Sequence, residues 1–242
     1  MKGIYRLADL NILIEFLYPC TEKFLREYKA VDNQEVSVDF SIAVDKEKLE
    51  KECLENGIKR IGYYENLYIL REISKKLVED YNGFMFHASS IAVDGKAFCF
   101  TAKSGTGKST HARFLSKLLG DRLEYINDDK PFVRYLEKED RFMVYGNPWN
   151  GKHKLGENKS YPLGAISYLV RGKENAVDMI SSSKALALLL EQITYPEDQN
   201  QAQKLIKTLN KLFEKTPMYL LKCVNDVSAG AVSYKNVIEK NL

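Results

Sequence analysis

The stretch 96–119 constrains the fold more than any other. KAFCFTA is an apolar, β-rich run, and it feeds directly into AKSGTGKS at 102–109. KSTHARFLSKLL then carries Ala112, Leu115, Leu118 and Leu119 inward at helical spacing, and Gly120 stops it. A strand that turns through glycines into an amphipathic helix argues for a layered α/β core. Gly105 and Gly107 permit backbone angles that turn successive N–H groups into one anion-binding nest, and the helix start adds its positive dipole end. The pattern is G-x-x-x-x-G-K-[ST] with Ala102 in the first place. Ser104, Gly105, Thr106, Gly107, Lys108, Ser109 and Thr110 are therefore the expected nucleotide-binding set. Lys108 would reach the β- and γ-phosphates, and Ser109 or Thr110 would offer a hydroxyl to magnesium. A ligand-free glycine turn competes with this reading, but the strand before, the helix after and the full GKS ending weigh against it. Gly105-x-Gly107-x-x-Thr110 lacks the third glycine of a dinucleotide fold.

Asp128 and Asp129 follow Lys108 by about twenty residues, at the tip of a short strand, RLEYIN. Adjacent carboxylates beside phosphates repel one another unless a metal neutralises them. One can hold magnesium while the other takes a proton from an attacking hydroxyl. Which does which stays open; Ser109 and Asp129 are expected to hold the metal. A turn-forming Asp pair is the plainer alternative, and the nearby glycine loop outweighs it. His87, on the strand before the hairpin that returns to the loop, is expected beside these acids as a fourth catalytic residue with Asp128, Asp129 and Lys108. His111 is expected to be a packing or surface residue. The segment 146–160, GNPWNGKHKLGENKS, carries the sole tryptophan, Trp149, and three lysines, Lys152, Lys154 and Lys159. A solvated lysine loop is what most such runs are. Specificity is nonetheless built on loops over a rigid sheet, so Trp149, Lys152 and Lys130 are read as substrate-facing.

Thirty-six basic residues against 33 acidic leave a net charge of +3, well mixed, with no footprint of nucleic-acid binding. No apolar run approaches the roughly 20 residues that span a bilayer. MKGIYRLADL lacks a signal peptide's apolar stretch, so a cytoplasmic location with no membrane partner is the default. Cys20, Cys53, Cys99 and Cys223 show no metal spacing and read as reduced core thiols.

Two parts are expected: a small α+β unit at 1–82 and an α/β domain with a mixed sheet at 83–242. In the first, 4–16 reads as strand, 21–29 as helix, 35–43 as a half-buried strand, and 45–56 and 64–80 as helices, the last with Leu67, Leu70, Ile73 and Leu77 on one face. In the second, FMFHASSIAV and KAFCFTA are joined at Asp94–Gly95, the strongest short hairpin signal. Strands follow at 131–137, 141–146, 163–171 and 217–223, with helices at 182–194, 199–214 and 226–240. Hairpin-joined strands on both sides of the loop make the sheet mixed.

A histidine before a hairpin, then SGTGKS, then a DD pair after one helix resembles the HPr kinase/phosphorylase catalytic domain, over residues 86–134. HASSIAVDGKAFCF, SGTGKSTH, NDDKP and GNPWNGKH are similar to a group of smaller bacterial HPr kinase-like proteins. The resemblance implies a P-loop kinase core of the type shared with phosphoenolpyruvate carboxykinase. It also implies transfer from ATP with Mg2+ to a serine-type hydroxyl on a peptide or small protein. Thr110 stands where HPr kinases usually carry an acid, their glycine-rich signature has no counterpart, and the N-terminal unit is shorter than their regulatory domain. These departures point away from HPr itself as acceptor. A small-molecule kinase and a nucleotide-binding regulatory module without turnover are the alternatives, and the oligomeric state, homo-oligomer included, stays open.

Overall fold

The computed structural model describes residues 1–30, 36–193, 196 and 198–242. The chain divides into two compact units, Met1–Lys76 and Leu77–Leu242.

In the first unit β1 (Lys2–Leu7) and β2 (Leu10–Glu15) form an antiparallel hairpin, where the sequence reads as one strand over 4–16. The turn residues Ala8 and Asp9 have φ of 53° and 59°. That left-handed pair makes a two-residue turn without the glycine that usually announces one. Next come α1 (Pro19–Leu25) and β3 (Phe40–Ala43), the latter parallel to β2 and shorter than the expected 35–43, of which residue 35 lies outside the described residues. In α2 (Lys46–Glu55) the Asp45 side chain caps the helix, accepting from the Lys48 N–H at 3.1 Å. The division between the units falls within α3 (Ile61–Asp80). Glu65 is fully buried, and it accepts from the amides of Leu17 (2.5 Å) and Tyr18 (3.2 Å) and from the Thr21 hydroxyl. Three donors make a carboxylate tolerable there.

The second unit is a mixed sheet covered on both faces. Its elements are β4 (Gly83–Met85), β5 (Ala88–Val93), β6 (Lys96–Thr101), α4 (Lys108–Leu119), β7 (Leu123–Asn127), β8 (Phe132–Leu136), β9 (Arg141–Tyr145), β10 (Ser160–Arg171), β11 (Ala176–Met179), α5 (Ser182–Leu190), α6 (Gln199–Lys215), β12 (Met218–Cys223) and α7 (Ser228–Ser233). The order runs β4-β8-β9-β10-β6-β5-β7, with β12 also on β10 and β11 on β12. β10 is long because it serves two neighbourhoods. Its start pairs antiparallel with β9, and after a register shift between Leu163 and Ala165 it runs parallel between β6 and β12. Since β5 is antiparallel to both β6 and β7, strands β6, β7, β10 and β12 all point the same way. Their C-terminal ends lie at one edge.

Alternation along the strands explains the fully apolar runs. Ala97 and Cys99 of β6 join a core with Ile126, Ile166, Leu189, Leu205 and Leu209, under α5 and α6. Phe98 and Phe100 face the opposite core with Ala112, Leu115 and Val237, under α4 and the C-terminal helix. Leu118, expected inward, is 50% exposed, because the buried stripe of α4 runs through His111, Ala112, Leu115 and Leu119. The helix expected over 226–240 is interrupted after α7 by a π turn, Tyr234–Ile238, which lets the consecutive residues Val237 and Ile238 both bury. Strand β11 went unforeseen because it is four residues long and half-exposed. Helix α5 ends at Leu190, short of the expected 194, a position outside the described residues. All four cysteines are free, and Cys20 is exposed rather than in a core.

Candidate functional site

The hairpin β5–β6 turns at Asp94 and Gly95, with φ of 47° and 84°, as the Asp-Gly signal requires. It delivers β6 to the sheet edge, where residues 102–107 reverse into α4. Gly105 and Gly107 have φ of 75° and 120°, conformations that a side chain rarely adopts. Gly107 is the N-cap, and helix α4 starts at Lys108. The loop is closed by Thr106 N–H to the Lys103 carbonyl at 3.1 Å, and the His111 amide donates to Gly107 O at 2.9 Å. Two long side chains brace it from outside: Arg171, at the end of β10, donates to Gly105 O at 2.8 Å, and Lys103 pairs with Glu191 at 3.6 Å. Lys108 bends back along the loop, its Nζ 3.3 Å from Ala102 O. Burial lowers its pKa, and the nearby charge of Asp129 opposes that shift. Such a helix start with a half-buried lysine can hold an anion.

The second part of the site is the tip of β7, which runs parallel to β6 and ends at the same edge. Asn127 is fully buried. Its Oδ1 accepts from the amides of Asp129 (2.9 Å) and Lys130 (2.6 Å), turning the chain sharply after the strand. Its Nδ2 donates to Asn147 Oδ1 at 3.1 Å and Asn147 O at 3.2 Å. The two aspartates are thereby fixed in different surroundings. Asp129 pairs with His87 (Nδ1 to Oδ1, 3.2 Å) and with the Lys130 ammonium. Burial alone would raise the Asp129 pKa; the bonds from His87 and Lys130 outweigh it and hold the carboxyl at about 2. Asp128 is only 4% exposed; its Oδ1 accepts from Gly151 N–H at 2.6 Å, and its Oδ2 is buried without a partner. His87 sits in the bend between β4 and β5 rather than on a strand, since the chain there leaves the partner of β4 for that of β5. Its amide donates to Gln192 O at 2.8 Å, and Ala88 N–H donates to Asp129 O at 3.0 Å, which holds histidine and acid together.

The segment after β9 closes over this tip. Asn147, fully buried, donates to Lys130 O at 2.6 Å and accepts from Trp149 N–H at 2.9 Å. Trp149 is 5% exposed with its ring 6.1 Å from that of Phe132. It therefore props the segment from beneath, whereas the sequence reading had it facing substrate. Lys152 is exposed, and Lys130 lies against Asp129. Gly146 has no room for a side chain: a Cβ would stand 1.8 Å from Glu157 O.

Residues from four elements thus meet at the carboxyl edge: the glycine loop with Lys108, the Asp128–Asp129 tip, His87, and the 147–151 segment. Asn127 and Arg171 lie outside the expected site, whereas Asn147 and Gly151 fall in the 146–160 segment expected to face substrate, with no individual role assigned to them. Asn127 does carry a local signal, an Asx residue directly before two acids at a strand end. Among the described residues, no group of three or more His, Cys, Asp and Glu side chains could hold a metal. One or two carboxylates acting with a ligand's own oxygens, the usual arrangement for magnesium, is what the donor set offers. No helix among the described residues is long and apolar enough to cross a membrane.

The fold is thus of the mixed α/β class, with its candidate site at the carboxyl ends of parallel-running strands. No family model matches the chain, and no curated protein matches it. Among solved structures it is similar to the Hpr(Ser) kinase/phosphatase from Coxiella burnetii, with a TM-score of 0.39 and 9% identity over 64% of this chain and 89% of that one.

Proposed function

We propose that this chain is an ATP- and magnesium-dependent phosphotransferase that moves the γ-phosphate to a serine-type hydroxyl of a peptide or small protein. The observation that carries this reading is the meeting of the glycine loop with the β7 tip, close enough that the charge of Asp129 acts on Lys108. Loop amides and Lys108 would cradle the nucleotide phosphates. Ser109, in the first turn of α4, and Asp129, anionic down to about pH 2, would hold magnesium, which when bound neutralises the charge of the transferring group.

Asp128 takes the other role. One of its oxygens is fixed by the Gly151 amide and the other lacks a partner, which suits it to accept a hydrogen bond, then the proton, from an acceptor hydroxyl. His87 orients Asp129 and keeps it charged.

Variants separate binding from chemistry. Lys108→Ala should weaken ATP binding about 10-fold or more and lower transfer by about 10²–10³-fold. Asp128→Asn should lower transfer comparably with ATP binding within about twofold, as read by equilibrium dialysis beside a transfer assay. Full transfer in Asp128→Asn would remove the carboxylate from the chemistry. Tight ATP binding with no turnover on any acceptor would leave a nucleotide-binding module.

A further inference from the structure

The three lysines of the 146–160 segment are not equivalent. Lys159 is neutralised twice, by Glu124 and by Glu157 at 2.8 Å. Lys152 and Lys154 are exposed, and among the described residues they have no ion-pair partner. They lie on one short turn, closed by Lys154 N–H to Gly151 O at 3.1 Å, with Lys154 in the left-handed region at φ 49°. His153 stands exposed between them.

The first residue of that turn is the one that clamps Asp128. Gly151 donates its N–H to Asp128 Oδ1 at 2.6 Å and lies across the partnerless Oδ2, to which a Cβ at Gly151 would come within 3.0 Å. Asp128 is itself only 4% exposed. Behind Gly151 the segment is pinned to the β7 tip through Asn147 and Asn127, and by the buried ring of Trp149. Unneutralised cations are thus tethered, one to three residues away, to a buried carboxylate oxygen that awaits a donor.

Resting on the phosphotransfer reading, we propose that the Gly151–Lys154 turn selects the acceptor: it binds an acidic peptide, placing a hydroxyl flanked by Asp or Glu residues over Asp128 Oδ2. Lys152 and Lys154 take the flanking carboxylates, since a like-charged acceptor is repelled and a neutral one gains nothing from them. A side chain at Gly151 would crowd Asp128, its Cβ standing 3.0 Å from Oδ2.

Trp149, the sole tryptophan, stands two residues before Gly151 and reports on the segment without any need for turnover. The test is a fluorescence titration of the full chain at low salt. The probes are two synthetic peptides of one length, each with a central serine, flanked in one by Asp and Glu and in the other by Asn and Gln. The expected result is saturable binding of the acidic peptide at least 10-fold tighter than the neutral one. That preference should vanish in Lys152→Glu/Lys154→Glu and persist in Lys159→Gln. Equal binding of the two peptides, no binding of either, or acidic binding that survives the double charge reversal would overturn the inference. Weakened ATP binding in the double variant would do so as well, by making the turn a nucleotide lid. Acidic binding with no label passed from ATP to the serine would leave the docking surface standing and remove the phosphotransfer reading instead.

Discussion

His111, in the first turn of α4, lies against Phe100 with ring centroids 4.8 Å apart and Cys223 Sγ 4.0 Å from its Nδ1. Burial pushes its pKa down to about 4 and the Cys223 thiol up to about 11, so both are neutral and act as packing. The folded chain keeps His111 neutral down to about pH 4, whereas the unfolded chain protonates it near 6.5. Between those limits the unfolded state binds the extra proton, and stability falls as pH falls, by up to about 3 kcal/mol. Urea midpoints at pH 7 and pH 4.5 should show that drop, and His111→Leu should flatten it. At this scale the sequence was informative where a residue's type has one use. Gly105 and Gly107 are expected in a turn running into a helix, and both have positive φ directly before α4 because few other residues adopt those angles. Trp149 misled because a lone aromatic in a lysine-bearing loop looks the same whether it faces out or packs on Phe132, and only the tertiary neighbour decides.

Elements with a periodic face were legible: α4 runs over Lys108–Leu119 as expected, and α6 and the Asp94–Gly95 hairpin emerge close to their predicted bounds. Those set by long-range pairing were not. The β1–β2 turn has no glycine, β11 exists through its pairing with β12, and His87 leaves the strand because β4 and β5 serve different partners. The same holds for the 146–160 segment, whose form depends on a side chain twenty residues upstream. Asn127 fixes the β7 tip by accepting from the amides of Asp129 and Lys130, and reaches that segment by donating to Asn147 Oδ1 and O. Asn127→Ala should cost about 2–3 kcal/mol, since it strands buried partners. It should also shift Trp149 emission to longer wavelength as the segment loosens, measured against guanidinium unfolding of the parent. An unchanged emission maximum at the same stability would mean that the segment holds itself.

For the molecule as a whole, composition and the glycine loop were enough to foresee an α/β layer with a mixed sheet, but not where one unit gives way to the next. The chain reads as breaking at Asn82–Gly83; the compact units divide at Lys76 and Leu77, because Val78 packs in the same core as Phe84 and Phe86, and Lys204 Nζ holds Glu79 O at 2.6 Å. Residues 77–242 alone should therefore melt several degrees above residues 83–242, about 1–3 kcal/mol in stability for the lost buried side chains; equal melting would restore the later boundary. The proposed function rests on the edge where β6 and β7 both end. The most direct measurement of the central claim is transfer itself: full-length protein, magnesium and γ-labelled ATP with a pool of serine-containing peptides, beside Asp128→Asn. The reading requires label on a serine hydroxyl by the parent and its loss in the variant with ATP still bound. ATP bound by both with no label passed, or equal labelling by both, would contradict it.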